Sequence, residues 1–190
     1  MNKYLNFIRP YEGFPKQDVI FQDINPLLSN WQALRAASAD LAIMIKQIMP
    51  FPSKIVCVEA RGFLMGGIIA ASVCAGCVPV RKKGKLPPYE SIENADYELE
   101  YGVGSISMDT SLIANYDDIV IFDDVLATGG TAEAVYRMLA SASEKGKWRP
   151  LEERKLCFAF LLEIKSLEGR RHLIEKTGIP DSHILSLIQI

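Results

Sequence analysis

Hydrophobic residues follow two alternating patterns along this chain. Short apolar runs rich in branched side chains, typical of buried strands, are followed by longer segments with apolar residues at helical spacing. Strands are predicted at residues 54–59, 77–81, 118–123, 155–164 and 184–188, and helices at residues 31–49, 62–75, 131–145 and 167–176. This alternation predicts an α/β fold, a parallel sheet with helices on both faces, whose ligands bind beyond the carboxyl ends of the strands.

A long polar segment interrupts this alternation. Residues 82–96 contain glycine and proline breakers and are predicted to form a loop. Loops of such length in compact domains are usually functional lids or disordered segments, so this one is a candidate for closing over a ligand. Residues 97–101 and 105–109 are predicted to pair as a hairpin on top of it.

Composition and charge narrow the function classes. The 190 residues are 49% apolar and 23% charged, as in soluble globular proteins, and their length favours a single domain. A net charge of -2 provides no long-range field for nucleic acid or an anionic membrane. Without an apolar run long enough to cross a bilayer, or a leader pattern at the start, the protein is expected to be cytoplasmic.

The cysteines give no clear function. All four lie in or beside apolar segments, where a free cysteine behaves as a small hydrophobe: Cys57, Cys74, Cys77 and Cys157. Cys74 and Cys77 form a C-x-x-C, but a zinc site needs two more ligands, and His172 and His183 are not paired at metal spacing. Neither a disulfide framework nor a metal site is predicted, and the role of this pair stays open.

The most specific feature is the segment V-I-F-D-D-V-L-A-T-G-G-T at residues 120–131. Five small residues at its end can place main-chain N–H groups around a phosphate at a helix N-terminus: Ala127, Thr128, Gly129, Gly130 and Thr131. Asp123 and Asp124 precede them, at a reach suited to the two hydroxyls of a ribose. Alone, the Asp-Asp pair is commonly a solvated turn, and Thr-Gly-Gly-Thr is commonly an ordinary helix start. Joined in this order, they favour a phosphoribosyl site.

Other phosphate motifs are absent from the sequence. No G-x-x-x-x-G-K-[ST] occurs, and Gly102 with Gly104 lacks the third glycine of a dinucleotide fingerprint. Nucleoside triphosphatases and dehydrogenases are therefore disfavoured.

The segment at residues 120–131 resembles the phosphoribosyl pyrophosphate signature of type I phosphoribosyltransferases. Four further segments are similar to adenine phosphoribosyltransferases: F-Q-D-I-N-P-L-L at 21–28, V-E-A-R-G-F at 58–63, V-P-V-R-K-K-G-K-L-P at 78–87 and Y-E-L-E-Y-G at 97–102. Their order and approximate spacing match along nearly the whole chain. The resemblance implies the type I fold with a small flexible hood, here about residues 82–109, and transfer of the phosphoribosyl group to adenine.

The resemblance also implies roles for individual residues. Asp123 and Asp124 would hold the ribose hydroxyls, residues 127–131 the 5-phosphate, and Arg61 the pyrophosphate, to which a guanidinium is well suited. Three cations of the hood would close over the pyrophosphate: Arg81, Lys82 and Lys85. Mg²⁺ would be carried by the substrate and not by a protein cage.

Base recognition is implied for two short segments. Adenine would be recognised by Phe21 and its neighbours, with Ile20 and Gln22 offering main-chain groups to its edge, and Val125 would pack on its ring. Glu100 would be the general acid or base, with Tyr101 beside it. A homodimer is the family expectation.

Alternatives remain open at this level. A regulator could retain the phosphoribosyl pyrophosphate site without catalysis, although the hood and Glu100 argue against this. A transferase for hypoxanthine, guanine or xanthine is not excluded by spacing or periodicity. Two departures from the family pattern, a longer stretch between Lys85 and Glu100 and Asp18 where a glycine is common, put the hood geometry and base contacts in doubt.

Overall fold

A seven-stranded sheet forms the centre of the protein in the computed structural model, which describes residues 2–17, 19–99 and 102–190. In chain order its strands are β3 (Lys54–Val58), β4 (Gly76–Lys82), β5 (Ile92–Leu99), β6 (Gly102–Asp109), β7 (Ile119–Leu126), β8 (Leu156–Glu163) and β9 (Ile184–Gln189). Their spatial order is β5-β6-β4-β3-β7-β8-β9. Five neighbouring strands run parallel: β4, β3, β7, β8 and β9. Strands β6 and β5 continue the sheet at the β4 edge with antiparallel pairing.

A second, smaller sheet lies at the N-terminus. Its two antiparallel strands are β1 (Arg9–Glu12) and β2 (Ile20–Asp23). The helices are α1 (Asn25–Ser29), α2 (Trp31–Ile48), α3 (Arg61–Val73), α4 (Gly130–Glu144) and α5 (Gly169–Thr177). Asn30 caps α2, accepting a hydrogen bond from the backbone N–H of Ala33 at 2.9 Å. No described helix is long and apolar enough to cross a membrane.

The sheet is buried on both faces by helices. Successive side chains of each strand point to opposite faces, so neighbouring residues pack with different helices. Ile55 and Cys57 of β3 pack with α2 and α3, whereas Val56 and Val58 pack with α4 and α5. The predicted α/β fold with helices on both faces is therefore confirmed. That residues 1–190 form a single domain stays a prediction.

The predicted loop at residues 82–96 is too long. β5 begins at Ile92, so the hairpin is longer than expected and the loop covers only residues 83–91. The first part of β5 was predicted as a loop because its residues are polar. Glu93 nevertheless faces inward and is buried, with its carboxylate 2.6 Å from Lys145 Nζ and 3.0 Å from Lys147 Nζ.

The last helix was predicted to begin two residues too early. Leu167 ends a single 3-10 turn, Lys165–Leu167. Glu168 then takes a left-handed backbone conformation with φ 53°, which separates that turn from α5 at Gly169.

Close packing of α3 on the sheet makes neighbouring glycines of this helix differ in their tolerance of a side chain. A Cβ added at Gly66 would overlap Cys57 Sγ and lie 3.3 Å from Phe122 Cδ1, whereas one added at Gly67 would meet nothing within 4 Å. Gly66→Ala is expected to lower the free energy of unfolding by about 1 to 3 kcal/mol through overpacking. Gly67→Ala, the matched control, is expected to raise it by up to about 1 kcal/mol through helix propensity. Urea denaturation of both variants measures the two changes, and equal effects would contradict this account of the packing.

Candidate active site

The candidate site is an open cleft of about 1230 Å³ at the carboxyl edge of the parallel strands. β3, β7 and β8 are neighbours in the sheet, so the segments that follow them meet there. Many of the predicted binding residues line the cleft: Ile20, Phe21, Gln22, Arg61, Asp123, Asp124, Val125, Ala127, Thr128, Gly129, Gly130 and Thr131.

The phosphate loop, defined here as residues 127–131, connects β7 to α4. Gly129 has φ +88°, a conformation that favours glycine, and Gly130 begins the helix. A Cβ on Gly129 would lie 2.8 Å from the carbonyl oxygen of Gly169, so the start of α5 closes the loop on one side. The free N–H groups of the first turn of α4 and its positive dipole make this loop suitable for an anion.

Asp123 and Asp124 lie near the end of β7, beside Arg61, the first residue of α3. Arg61 Nε is 2.7 Å from Asp124 Oδ2. The contact is an ion pair and not an aligned hydrogen bond, because this buried oxygen has no hydrogen-bond partner among the described residues. At Gly62, a Cβ would lie 3.3 Å from Asp123 Oδ1, so a glycine after Arg61 lets the two segments approach closely.

The two carboxylates affect each other. Burial raises the pKa of Asp123 well above its ordinary value, and the negative charge of Asp124 raises it further. Asp123 Oδ1 accepts a hydrogen bond from the backbone N–H of Asp124 at 2.9 Å, and Arg61 acts in the opposite direction by favouring the charged form. Such perturbed acids in a cleft are typical of functional sites.

Aromatic and apolar residues form the other wall. The ring of Phe21, on β2, has the Arg61 guanidinium carbon 5.2 Å from its centroid and Phe14 packed edge-on at 5.3 Å. Ile20 and Gln22 flank it on the same strand, and Val125 faces the cleft from β7. The N-terminal hairpin, which the sequence analysis did not predict, therefore brings the predicted base-binding residues to the loop end of the sheet.

Part of the cleft lining was missed from sequence. It comes mostly from the segment after β8 and from the end of the described chain: Phe160, Ile164, Lys165, Ser166, Leu167 and Ile190. A signal for these residues was present in the sequence. The strand that became β8 was predicted, and ligands bind beyond the carboxyl ends of parallel strands, so the segment after β8 was a candidate for the lining.

The three predicted hood cations are not among the residues that line the cleft. Arg81 Nε donates to Glu59 Oε2 at 2.7 Å, and the backbone N–H of Lys82 donates to the same oxygen at 2.9 Å. Burial alone would raise the pKa of Glu59, but these two hydrogen bonds hold it below its ordinary value. Lys85 is exposed in the loop after β4. Glu59, which sequence reasoning missed, is thus the partner of Arg81 in this structure.

Some predicted positions lie outside the described residues. Glu100, Tyr101 and Asp18 are in this group. The roles inferred for Glu100 and Tyr101 stay predictions.

The cysteines and the other possible metal ligands do not form a metal site among the described residues. Cys77 Sγ is 3.3 Å from Cys57 Sγ, and Cys74 is exposed at the end of α3. Within residues 2–17, 19–99 and 102–190, no three His, Cys, Asp or Glu side chains are grouped to hold a metal ion. Asp123 and Asp124 are two neighbouring carboxylates, a set of oxygen donors that fits a hydrated cation arriving with a substrate.

Comparisons with known proteins agree with this geometry. No family model matches the chain. An adenine phosphoribosyltransferase of Crocosphaera subtropica is 40% identical over 181 residues, 95% of each chain. The structure of the Thermoanaerobacter pseudethanolicus adenine phosphoribosyltransferase has a TM-score of 0.82 and 34% identity, covering 99% of this chain and 98% of its own. The Giardia lamblia enzyme complexed with 9-deazaadenine has a TM-score of 0.84 and 29% identity, covering 98% and 95%. With similarity of this extent along nearly its whole length, the chain belongs to the adenine phosphoribosyltransferase family.

Proposed function

We propose that the protein transfers the 5-phosphoribosyl group from phosphoribosyl pyrophosphate to adenine, giving AMP and pyrophosphate in purine salvage. The observation that carries this proposal is the arrangement of one cleft. The phosphate loop and the two aspartates lie on one side, Phe21 lies on the other, and Arg61 contacts both sides. Relatives bearing the name of this enzyme, and a solved relative complexed with 9-deazaadenine, support it.

The reaction displaces pyrophosphate from the anomeric carbon of the ribose by a purine nitrogen. Positive charge develops on the ribose and negative charge on the leaving group, so catalysis depends on positioning and electrostatics. Asp123 and Asp124 would accept hydrogen bonds from the ribose hydroxyls while the phosphate loop holds the 5-phosphate. No covalent nucleophile is needed.

Arg61 is suited to the pyrophosphate end of this reaction. A guanidinium carries five N–H donors in a planar fork, so its contact with Asp124 does not prevent it from binding phosphate oxygens. Its position over Phe21 would also place positive charge between the base and the leaving group. Both contacts hold the guanidinium before substrate arrives, which reduces the entropy lost on binding.

The hood would complete the site when it closes. Arg81, Lys82 and Lys85 would then approach the pyrophosphate, and Arg81 would exchange its hydrogen bond to Glu59 for phosphate oxygens. Glu100, with Tyr101 beside it, is proposed as the general acid or base for the purine. Closure would exclude water that could otherwise attack the anomeric carbon in place of the purine.

Magnesium is proposed as a companion of the substrate. When bound, Mg²⁺ neutralises the charge that develops on pyrophosphate. Asp123 and Asp124 would hold it through water, because they are too few to replace its hydration shell.

Assembly and compartment complete the proposal. We propose a homodimer, as the family resemblance implies, acting in the cytoplasm on small molecules. The four cysteines are all free, which suits a reducing compartment.

Incubation of the protein with phosphoribosyl pyrophosphate, Mg²⁺ and each base in turn tests the function. Turnover with adenine is expected to exceed that with hypoxanthine, guanine or xanthine by at least about a hundredfold, because an oxopurine presents a carbonyl where adenine presents an amino group and would leave main-chain partners unpaired. Nucleotide formation is followed by chromatography. Equal or better use of an oxopurine would make that base the assigned substrate in place of adenine. No turnover with any base would favour a regulator that binds phosphoribosyl pyrophosphate without catalysis.

Removal of Mg²⁺ is expected to abolish turnover, since uncompensated pyrophosphate is a poor leaving group. The rate is measured after addition of a chelator and again after excess Mg²⁺ is restored. Recovery of the full rate is the control for damage by the chelator. Undiminished turnover without divalent ions would show that the cations of the protein suffice.

Asp123→Asn should separate binding from stability. Loss of charge-assisted hydrogen bonds worth about 1.5 to 3 kcal/mol is expected to weaken phosphoribosyl pyrophosphate binding about tenfold to a hundredfold. The free energy of unfolding should stay constant or rise, because a buried carboxylate beside Asp124 is removed while the oxygen that accepts the Asp124 N–H is retained. Calorimetric titration and chemical denaturation measure the two quantities.

The matched control for this variant is Asp181→Asn, which removes an exposed carboxylate paired with Arg170 far along the chain. Its substrate affinity should equal that of the unmodified protein. Unchanged affinity in Asp123→Asn as well would mean that Asp123 does not bind the ribose.

A further inference from the structure

Two cysteines of neighbouring strands are in direct contact within the sheet. The sulfur atoms of Cys57, on β3, and Cys77, on β4, are 3.3 Å apart. The two strands run parallel, and Cys77 pairs in register with Ile55, two residues before Cys57. Neither cysteine is among the described residues that line the cleft. The proposed reaction therefore leaves the chemistry of this thiol pair unassigned.

The two thiols differ in their surroundings. Cys57 is completely buried in the apolar cluster that α2 and α3 form with the sheet, where a Cβ added at Gly66 would overlap its sulfur. Cys77 is exposed. Water can solvate a thiolate at Cys77, whereas a charge on Cys57 would lose its hydration, which is costly in an apolar environment. The pair therefore ionises at Cys77, and Cys57 keeps its proton.

The S–H group of Cys57 can stabilise that thiolate. Two acceptors lie near it, the backbone oxygen of Ile55 at 3.6 Å and the sulfur of Cys77 at 3.3 Å. A charged acceptor forms the stronger hydrogen bond, so the S–H group is expected to turn to Cys77 once Cys77 has lost its proton. This hydrogen bond lowers the pKa of Cys77 to about 7, although partial burial acts in the opposite direction. A large share of Cys77 is then thiolate at neutral pH.

Two charged side chains lie near the pair. Lys54, on β3, extends over the first residue of β4, and its Nζ is 3.9 Å from Asp117 Oδ2, which partly neutralises it. The contact with Cys77 and burial raise the pKa of Cys57, and the negative charge of Asp123, on β7, raises it further. The hydrogen bond from Cys57 is therefore the interaction that distinguishes Cys77 from an ordinary exposed thiol.

We infer that Cys77 is a covalent modification site, whose thiolate is stabilised by the S–H group of Cys57 and reacts with low-molecular-weight disulfides. The thiolate sulfur attacks one sulfur of the small disulfide, and the S–S bond breaks. Cys77 is thereby joined to one half of the reagent in a mixed disulfide, and the other half leaves as a thiolate that takes a proton from water. The Cys77 sulfur is oxidised and the released sulfur is reduced, so no further oxidant is needed. A thiol with a pKa near the ambient pH is the most effective attacking group in this exchange.

The product is a mixed disulfide and not an internal bond to Cys57. Cys57 lies two residues beyond the register partner of Cys77. This displacement places their Cα atoms about 7 to 8 Å apart, beyond the range of about 4.4 to 6.8 Å that disulfides span. Cys57 also keeps its proton, and a thiol is a poor nucleophile. An internal disulfide would require movement of the backbone inside the sheet, so the exchange stops at the first step.

Alkylation at different pH values tests the role of Cys57. Iodoacetamide reacts with the thiolate, so the pH dependence of its rate at Cys77, followed by peptide mass spectrometry, measures the pKa of this residue. The midpoint is expected near pH 7 in the unmodified protein. In Cys57→Ala it should rise by about one to two pH units, toward the ordinary value of a cysteine, because the donor is lost. An unchanged midpoint in Cys57→Ala would overturn the inference, and so would an ordinary midpoint of about 8.5 in the unmodified protein.

Cys157→Ala is the matched control. It removes another buried thiol of the same apolar cluster, on β8, which β3 and β7 separate from β4. Each of the two substitutions removes one buried sulfur atom from the core, so a general loosening of the core would act in both. The Cys77 midpoint in Cys157→Ala should equal that of the unmodified protein. A shift of equal size in both variants would assign the effect to packing and overturn the role of Cys57.

Glutathione disulfide is the probe for the modification itself. At neutral pH it should form a mixed disulfide at Cys77 faster than at Cys74, which is exposed but outside the pair. The Cys77→Ser variant should lose the faster adduct. Preferential reaction at Cys74, or an internal disulfide between Cys57 and Cys77, would contradict the inference. These measurements use no substrate of the proposed reaction, so their outcome is independent of the proposed function.

Discussion

The ion pair between Arg61 and Asp124 is the contact on which the site depends. It joins the first residue of α3, the helix that follows β3, to the carboxyl-terminal part of the neighbouring parallel strand β7, with Nε and Oδ2 2.7 Å apart. Gly62 permits the approach on one side, since a Cβ there would lie 3.3 Å from Asp123 Oδ1. The same guanidinium lies over the Phe21 ring, so a single side chain connects the acidic pair with the aromatic wall.

Much of the fold could be predicted, because buried parallel strands appear in sequence as apolar runs and helices appear as periodic ones. Prediction failed where a polar residue faces inward. Glu93 is buried in β5 by ion pairs to Lys145 and Lys147, partners that no local pattern connects with it. The N-terminal hairpin was missed for another reason, since its strands are only four residues long and β1 is exposed throughout.

The site divides in the same way. The phosphate loop and the two aspartates are close together in sequence, so a local motif was sufficient to predict that they lie at one cleft, which they line. Their roles toward phosphate and ribose stay predictions. Other residues come to the site only through the order of the strands in the sheet. Ile164 and Lys165, after β8, line the cleft, and Glu59, after β3, pairs with Arg81 of the neighbouring strand β4. For Glu100, the family resemblance is still the only argument, because it lies outside the described residues.

Two carboxylates beside an anion-binding loop are electrostatically unfavourable until their partners are considered. The raised pKa of Asp123 expresses this cost in the substrate-free protein. A ribose bound there would present hydroxyl donors to the acids, and its phosphate would meet the positive end of α4, so each charge would face a complementary group. In the proposed complex the acids would therefore disfavour a phosphate in the ribose position, and Arg61 partly neutralises Asp124. With the proposed roles, specificity for a phosphorylated sugar in one orientation would follow from placing the acidic and phosphate-binding groups close together in sequence, at the end of β7 and the start of α4.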